Sequence, residues 1–207
     1  MLVRPAQPRD ERAIYDLVLY ARRRVLLVEW SELGAVLVKD AQRPTTDGAH
    51  RATHPYDLVC GDAEGKVGSF WASSTGAGQI AHLAATILHD RWSKRRAGAF
   101  LSGVKRTLRD SGARQIAYVG VEPWLTALLV VNEFVHSGNV ITLQKADGTV
   151  PDRGNTQVNV CRAQASHLEQ ILAVDERAFV PLWRTDLGTL AEQLSHSPFF
   201  VIAEWRA

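Results

Sequence analysis

A run of basic residues beside small ones is the stretch of this sequence best suited to chemistry. Arg91-Trp92-Ser93-Lys94-Arg95-Arg96 leads into Ala97-Gly98-Ala99, after an apolar run from Ile80 to Leu88. The first amides of a helix have no intrahelical acceptor, and the helix dipole adds positive partial charge at the same end. A strand, a basic turn and a helix together suit a phosphate or pyrophosphate. A solvated surface turn of the same composition is the alternative, and these residues leave it open.

The helix after this turn is predicted over Ala97 to Ser111. Apolar residues recur at helical spacing and basic residues fill the other face, while Gly112 is placed as a stop. The apolar positions are Phe100, Leu101, Val104 and Leu108.

This segment resembles the acetyl-CoA pyrophosphate motif of the GNAT superfamily of acyl-CoA N-acyltransferases, which is a strand, a loop of the form Gln/Arg-x-x-Gly-x-Gly/Ala, and a helix. Gly98 keeps the last position, while Ser93 stands where Gln or Arg is usual and Arg96 where the first Gly is usual. The resemblance implies that acetyl-CoA is a substrate. The residues it implies for cofactor binding are Leu88, Ser93, Lys94, Arg95, Arg96, Ala97, Gly98 and Ala99.

The order of the predicted elements also resembles this superfamily and implies its fold class, α/β, with a mixed twisted sheet and helices on both faces. Strand Gln115 to Val121 is expected to lie parallel to the run Ile80 to Leu88, because a helix connects the two. The remaining elements predicted before residue 124 are a strand at Leu2–Arg4, helices from Asp10 and over Ser31–Val38, a polar loop over Asp40–Pro55 that carries His50 and His54, and a hairpin of Tyr56–Cys60 and Lys66–Ser73.

The resemblance further implies that these two parallel strands splay apart and that the pantetheine arm of acetyl-CoA enters the gap. A tyrosine late in the following helix, predicted over Trp124 to His136, usually protonates the leaving thiolate. Counting back from Gly138 places Phe134 there, and phenylalanine has no proton to donate. Glu122 and His82 are the candidates for a general base that deprotonates the amine; a turn residue and a packed strand residue are the alternatives.

The end of the sequence looks like a second beginning. After a predicted strand at Val140–Lys145 and a linker at Ala146–Asn155, Cys161-Arg162-Ala163-Gln164 with Ile171 matches Val3-Arg4-Pro5-Ala6 with Ile14. The predicted domains are a GNAT-like unit over 1–155 and a partial GNAT-like repeat, strand-helix-helix-strand, over 156–207. The strand at Thr156–Arg162 could complete the first sheet or pair with another chain, which favours a homodimer.

Composition limits the remaining classes. The chain has 207 residues and a formal net charge of +2, too small to predict binding to nucleic acid or to an acidic membrane surface. No apolar run is long enough to span a bilayer, and no signal peptide is recognised. The two cysteines, Cys60 and Cys161, fit reduced thiols in a cytoplasmic protein better than a disulfide or metal site.

The favoured hypothesis is an N-acetyltransferase that moves an acetyl group from acetyl-CoA to an amine of a small molecule or protein. A catalytically degenerate GNAT-like module for CoA binding, dimerisation or support of a partner domain is the rival. A nucleotide-binding α/β protein of another kind is disfavoured, because no Gly-rich Lys-Ser/Thr phosphate loop is present.

Overall fold

The computed structural model describes residues 1–41, 57–63, 66–75, 79–141 and 154–205. The chain divides into two compact units, Met1–Ser137 (unit 1) and Gly138–Ala207 (unit 2). The linker predicted over Ala146–Asn155 lies almost entirely outside the described residues. The division at residue 155 therefore stays a prediction.

Unit 1 contains a mixed six-stranded sheet. Its elements are β1 (Leu2–Pro5), α1 (Glu11–Tyr20), β2 (Arg23–Leu26), α2 (Trp30–Ala41), β3 (Asp57–Ala63), β4 (Lys66–Thr75), β5 (Ile80–Leu88), α3 (Lys94–Asp110), β6 (Gln115–Ala117) and α4 (Pro123–Val130). The strand order is β1-β3-β4-β5-β2, and β6 also pairs with β5. The β5–β6 pair is parallel, as predicted, and the other pairs are antiparallel.

Two apolar clusters cover the two faces of this sheet. On β4, Trp71 belongs to the cluster that contains Phe100 of α3 and Leu125 of α4. Its neighbours Phe70 and Ala72 belong to the other cluster, which contains buried residues of α1 and α2. Adjacent residues of a strand point to opposite faces, so helices pack on both faces. The predicted α/β class is confirmed.

Several boundaries differ from the sequence prediction. Helix α3 begins at Lys94 instead of Ala97, because Ser93 caps it and its Oγ accepts the Arg96 N–H at 3.3 Å. Gly112 follows the helix with φ of 99°, a conformation that favours glycine, so the predicted stop is confirmed. Strand β6 ends at Ala117, and α4 ends at Val130. Strand β2 was not predicted.

Some predicted features fall where the structure gives no description. The polar loop is outside the described residues from residue 42 onward, and with it His50 and His54. Of the strand predicted at Val140–Lys145, the first two residues are not in a strand and the others lie outside the described part. No helix in the described ranges has the length and apolar content needed to cross a bilayer.

Unit 2 has the predicted order strand-helix-helix-strand, with elements β7 (Val158–Arg162), α5 (Leu168–Ala178), α6 (Leu187–His196) and β8 (Val201–Trp205). Strands β7 and β8 form an antiparallel pair. This pairing resembles β1 with β3, because Ala163 N–H donates to Phe200 O at 2.9 Å as Ala6 N–H donates to Leu58 O at 2.8 Å.

The helix starts of the two units also match. Gln164 N–H donates to Nδ1 of His167 at 3.1 Å, where Gln7 N–H donates to Oδ2 of Asp10 at 2.8 Å. This correspondence aligns Val3 with Val160, one residue earlier than the alignment to Cys161 predicted from the sequence. The strand pairing and the helix start of unit 1 thus recur in unit 2 with that one-residue correction, while a partial GNAT-like unit stays a prediction.

Candidate functional site

The basic run Arg91–Arg96 begins after β5 and continues into the first turn of α3, as expected for an anion site. Ser93, Lys94, Arg95 and Arg96 are exposed. Lys94 and Arg95 are the first residues of α3, so their backbone N–H groups have no acceptor within the helix. Ala97 is buried, Gly98 is half-buried and Ala99 is exposed. The predicted pyrophosphate residues thus form the N-cap and first turns of a 17-residue helix instead of a loop before it.

Trp92 fixes this turn to the sheet. Its indole is 6% exposed and packs edge-on against Phe100, with ring centroids 5.9 Å apart. A Cβ at Gly68 would lie 2.8 Å from the indole, so glycine is required there for the ring to fit. His89 N–H donates to Gly68 O at 2.9 Å and holds the start of the turn to β4.

Strands β5 and β6 form a short parallel pair, and the end of this pair at His82 and Ala117 is called the fork below. They pair only from Ile80 to His82, and β6 ends at Ala117. Immediately after the fork the partner of β4 shifts from Leu83 to Ala85, so Ala84 is an extra residue on β5 and forms a bulge. An extended ligand could bind along β5 beyond His82 only if that edge had unpaired backbone groups.

Strand β2 occupies that edge. Arg23 to Leu26 pair antiparallel with Leu88 to Ala85, and Leu27 N–H donates to Ala84 O at 2.8 Å. Leu88, predicted to contact the cofactor, is 2% exposed and is paired with Arg23 on this side. The gap implied by the resemblance is therefore filled by the chain itself in the described conformation.

Three arginines that the sequence analysis did not single out hold β2 in place. Arg22 N–H donates to Oδ1 of Asp90 at 2.9 Å, and Arg23 Nη1 donates to Trp92 O at 3.1 Å. Arg24 Nη1 donates to the carbonyls of Val18 and Leu19 at 2.7 and 3.0 Å, which caps the end of α1. The signal available in the sequence was the run Arg22-Arg23-Arg24 followed by four aliphatic residues.

The two candidate bases lie in different environments. His82 is half-buried on β5 at the fork, and burial lowers its pKa, so the imidazole is neutral at neutral pH. Glu122 is exposed at the N-cap of α4, and its backbone N–H donates to the hydroxyl of Tyr118 at 3.2 Å. Their roles stay predictions.

Phe134, at the position expected for tyrosine, packs against the cluster below α3. The Nζ of Lys105 lies 5.3 Å from its ring centroid and donates to Asn132 O at 2.6 Å. This contact joins the turn after α4 to α3. The residue has a packing function that needs no hydroxyl.

A cavity of about 650 Å³ opens elsewhere in unit 1. It includes Arg4, Asp10, Asp62, Lys66 and Asp90 in its lining and none of the predicted site residues. Its charged groups are of both signs, which gives no preference for an anion. In the described part of the chain, no group of three or more His, Cys, Asp or Glu residues could hold a metal ion.

Solved acetyltransferases have a fold similar to this chain. The aminoglycoside N-acetyltransferase AAC(6')-Iy in complex with CoA matches with a TM-score of 0.50 and 13% identity, over 70% of this chain and 98% of that one. A putative acetyltransferase from Agrobacterium tumefaciens matches with a TM-score of 0.49 and 14% identity, over 70% of this chain and 100% of that one. A ribosomal-protein-alanine N-acetyltransferase from Brucella melitensis matches with a TM-score of 0.47 and 12% identity, over 67% of this chain and 86% of that one.

The GNAT-like fold predicted from the sequence is confirmed. No protein-family model and no curated protein sequence matches this chain. At such low identity the likeness concerns the fold, and the chemistry must be argued from the residues.

These residues fit a CoA-type ligand at one end and not at the other. The start of α3 offers helix amides, exposed basic side chains and small residues to a phosphate. Along β5 the arm of such a ligand does not fit while β2 is paired there.

Proposed function

We propose that unit 1 is an N-acetyltransferase module that moves an acetyl group from acetyl-CoA to an amine, and whose cofactor site is closed by β2 in the described conformation. The observation that carries this proposal is the strand-to-helix passage from β5 into α3, where a fork in the sheet leads to a positive helix N-terminus. Acetyl-CoA supplies the acetyl group as an activated thioester. The phosphate end of CoA would be held at the start of α3 by Lys94, Arg95 and Arg96.

His82 is the better supported of the two candidate bases. An amine is protonated in water near neutral pH and must lose a proton before it can attack. A neutral imidazole can accept that proton, and burial keeps His82 neutral. Glu122 is exposed at the N-cap of α4 and remains the alternative.

Calorimetric titration of the full chain with acetyl-CoA, and separately with CoA, tests the proposal. Arg95→Ala should weaken binding by roughly 3- to 10-fold, because a charge-assisted contact to phosphate is lost. Arg109→Ala, in the last turn of the same helix, is the matched control and should bind like the wild type. Absence of binding at millimolar CoA in the wild type and in a variant with β2 loosened would overturn the proposal.

The rival function, a catalytically silent module of the same fold, is favoured by Phe134 at the place of the proton donor. Phe134→Tyr separates the two functions in an acetylation assay with a panel of amines. An acetyltransferase that lacks only its acid should gain rate in this variant, because a phenol can protonate a thiolate. A silent module should show no transfer with either residue, although both variants are folded.

A further inference from the structure

Strand β2 and Leu27 cover the outer edge of β5 from Ala84 to Leu88, beyond the part that β6 covers. The β6 partner ends at His82, and the chain's own residues pair from Ala84 to Leu88. The pantetheine arm of CoA has two secondary amides, and an extended ligand with amides binds an exposed strand edge through its backbone groups. Strand β2 and such an arm therefore compete for the same edge.

The attachment of β2 combines polar contacts with two apolar side chains, Val25 and Leu26, that pack on the two clusters. Of Arg23–Leu26, only Val25 is buried, at 5% exposure. The ion pair of Arg22 with Asp90 spans 4.0 Å between two solvent-accessible side chains, and such pairs contribute little. A four-residue edge strand with one buried side chain costs less to detach than a long central strand such as β4 or β5.

The contacts of β2 also reach the turn in front of α3. Arg22 and Arg23 bind Asp90 and the carbonyl of Trp92, which belong to that turn. Residues 22–27 are thereby attached both to β5 and to the segment that leads into the predicted phosphate site. A ligand that enters at α3 and extends along β5 must displace them.

We propose that residues 22–27 are an intramolecular plug: unit 1 accepts the arm of an acyl-CoA only when this segment leaves the edge of β5. The inference rests on the proposed function. It adds that affinity for CoA is limited by the free energy of detaching the plug, since a ligand binds a partly populated open state with reduced apparent affinity.

The test compares CoA binding by the full-length wild type with Arg23→Ala/Arg24→Ala. This double variant removes the contacts to Trp92 O and to the carbonyls of Val18 and Leu19. The expected result is CoA binding about 10-fold tighter than in the wild type. Arg12→Ala/Arg109→Ala removes the same two charges from exposed helix positions and should leave affinity unchanged.

A second variant protects the test against misfolding. Leu27→Pro deletes the single N–H that donates to Ala84 O, at a side chain that is 49% exposed. It keeps all the arginines and should also bind CoA more tightly. Far-UV circular dichroism establishes that each variant is folded.

Hydrogen exchange of the wild type supplies the direct readout. Amides of residues 23–27 should be protected in the free protein and lose protection on addition of CoA, while amides of Ala85 to Leu88 remain protected. Equal CoA affinity in all variants, with unchanged exchange at 23–27, would overturn the plug and leave the acetyltransferase proposal standing. Folded, plug-loosened variants that bind no CoA would overturn both. Unprotected amides at 23–27 in the free protein would overturn the plug.

Discussion

Asp10 joins three parts of unit 1 through one buried carboxylate. Its oxygens accept two hydrogen bonds from the Arg4 guanidinium, at 2.6 and 2.8 Å, and one from Gln7 N–H at 2.8 Å. The thiol of Cys60 lies 3.6 Å away. Burial acts to raise the pKa of Asp10, but these hydrogen bonds outweigh it and the pKa is lowered. Burial and the Asp10 charge raise the pKa of Cys60 to about 12, so this thiol stays protonated.

Asp10→Ala should cost about 3 kcal/mol of unfolding free energy at pH 7, because it leaves Arg4 unpaired in a site only 16% exposed. A carboxylate with a lowered folded pKa stabilises fully above its unfolded pKa, near 3.9, and less as pH falls toward the folded value. The difference between wild type and variant should therefore shrink below about pH 4. Urea unfolding at pH 7 and pH 3 measures it. Asp16→Ala, which breaks only the exposed pair with Arg12, should change stability by less than about 0.5 kcal/mol.

His82 also makes the stability of unit 1 depend on pH, but through burial instead of through hydrogen bonds. Because burial lowers its pKa, the unfolded chain takes up a proton near pH 6.5 before the folded chain does. Stability should fall as pH decreases from about 6.5 toward the folded pKa. His82→Gln should flatten this part of the pH profile of the unfolding free energy. His196→Gln, at an exposed histidine of unit 2, is the control; a slope that persists in His82→Gln would show that another group titrates.

At the scale of elements, a helix or strand was predictable when local sequence spacing determines it, and not when it depends on pairing with a distant part of the chain. Helix α3 and strand β5 were predicted because their apolar residues repeat at local spacings. Strand β2 was not, since Arg22-Arg23-Arg24 shows no alternation and its strand conformation depends on pairing with β5, some sixty residues later. The start of α3 was placed three residues late because Ser93 was assigned to a loop motif instead of to an N-cap.

Consequently the anion end of the site was predictable and the closed edge was not. Ser93 to Ala99 form one local segment, and their order in the sequence is their order in space. Occupation of the β5 edge depends on long-range backbone pairing, which side-chain patterns do not encode. The family resemblance also led away from β2, because it implies an open gap between β5 and β6 instead of one filled by the chain.

Packing of α3 on β1 offers a test of an element contact. A Cβ at Gly103 would lie 2.5 Å from side-chain atoms of Val3, whereas at Gly98 the nearest atom would be Oδ1 of Asn132 at 3.4 Å. Gly103→Ala should destabilise unit 1 by about 1–3 kcal/mol, because overpacking outweighs the gain in helix propensity. Gly98→Ala should be neutral or stabilise by up to about 1 kcal/mol. Thermal unfolding measures both, and Val3→Ala should rescue Gly103→Ala; two equal effects would show that α3 does not press on β1.

At the scale of the whole molecule, the two units begin with the same elements but bury their first strands to different extents. The first strand, the capped helix start and the returning antiparallel strand recur in both. In unit 1 the residue Val3 packs beside Gly103 of α3, while its counterpart Val160 in unit 2 is 64% exposed. The sequence repeat was detectable because local capping and helix spacing are repeated; burial was not, because it depends on which other elements are present.

This difference predicts unequal autonomy of the two units. Among the described residues, the buried apolar side chains of unit 2 are Ala163 and Leu190, and a two-stranded sheet is only marginally stable alone. Unit 1 has clusters on both faces of a six-stranded sheet. A fragment of residues 1–137 should therefore unfold cooperatively on heating, and residues 138–207 should show no cooperative transition. Circular dichroism and calorimetry of each fragment and of the full chain measure this. A sharp transition in the isolated 138–207 fragment, at the temperature seen in the full chain, would mean that unit 2 has a sufficient core of its own. If that fragment shows no transition while 1–137 does, the repeat depends on contacts beyond its own elements.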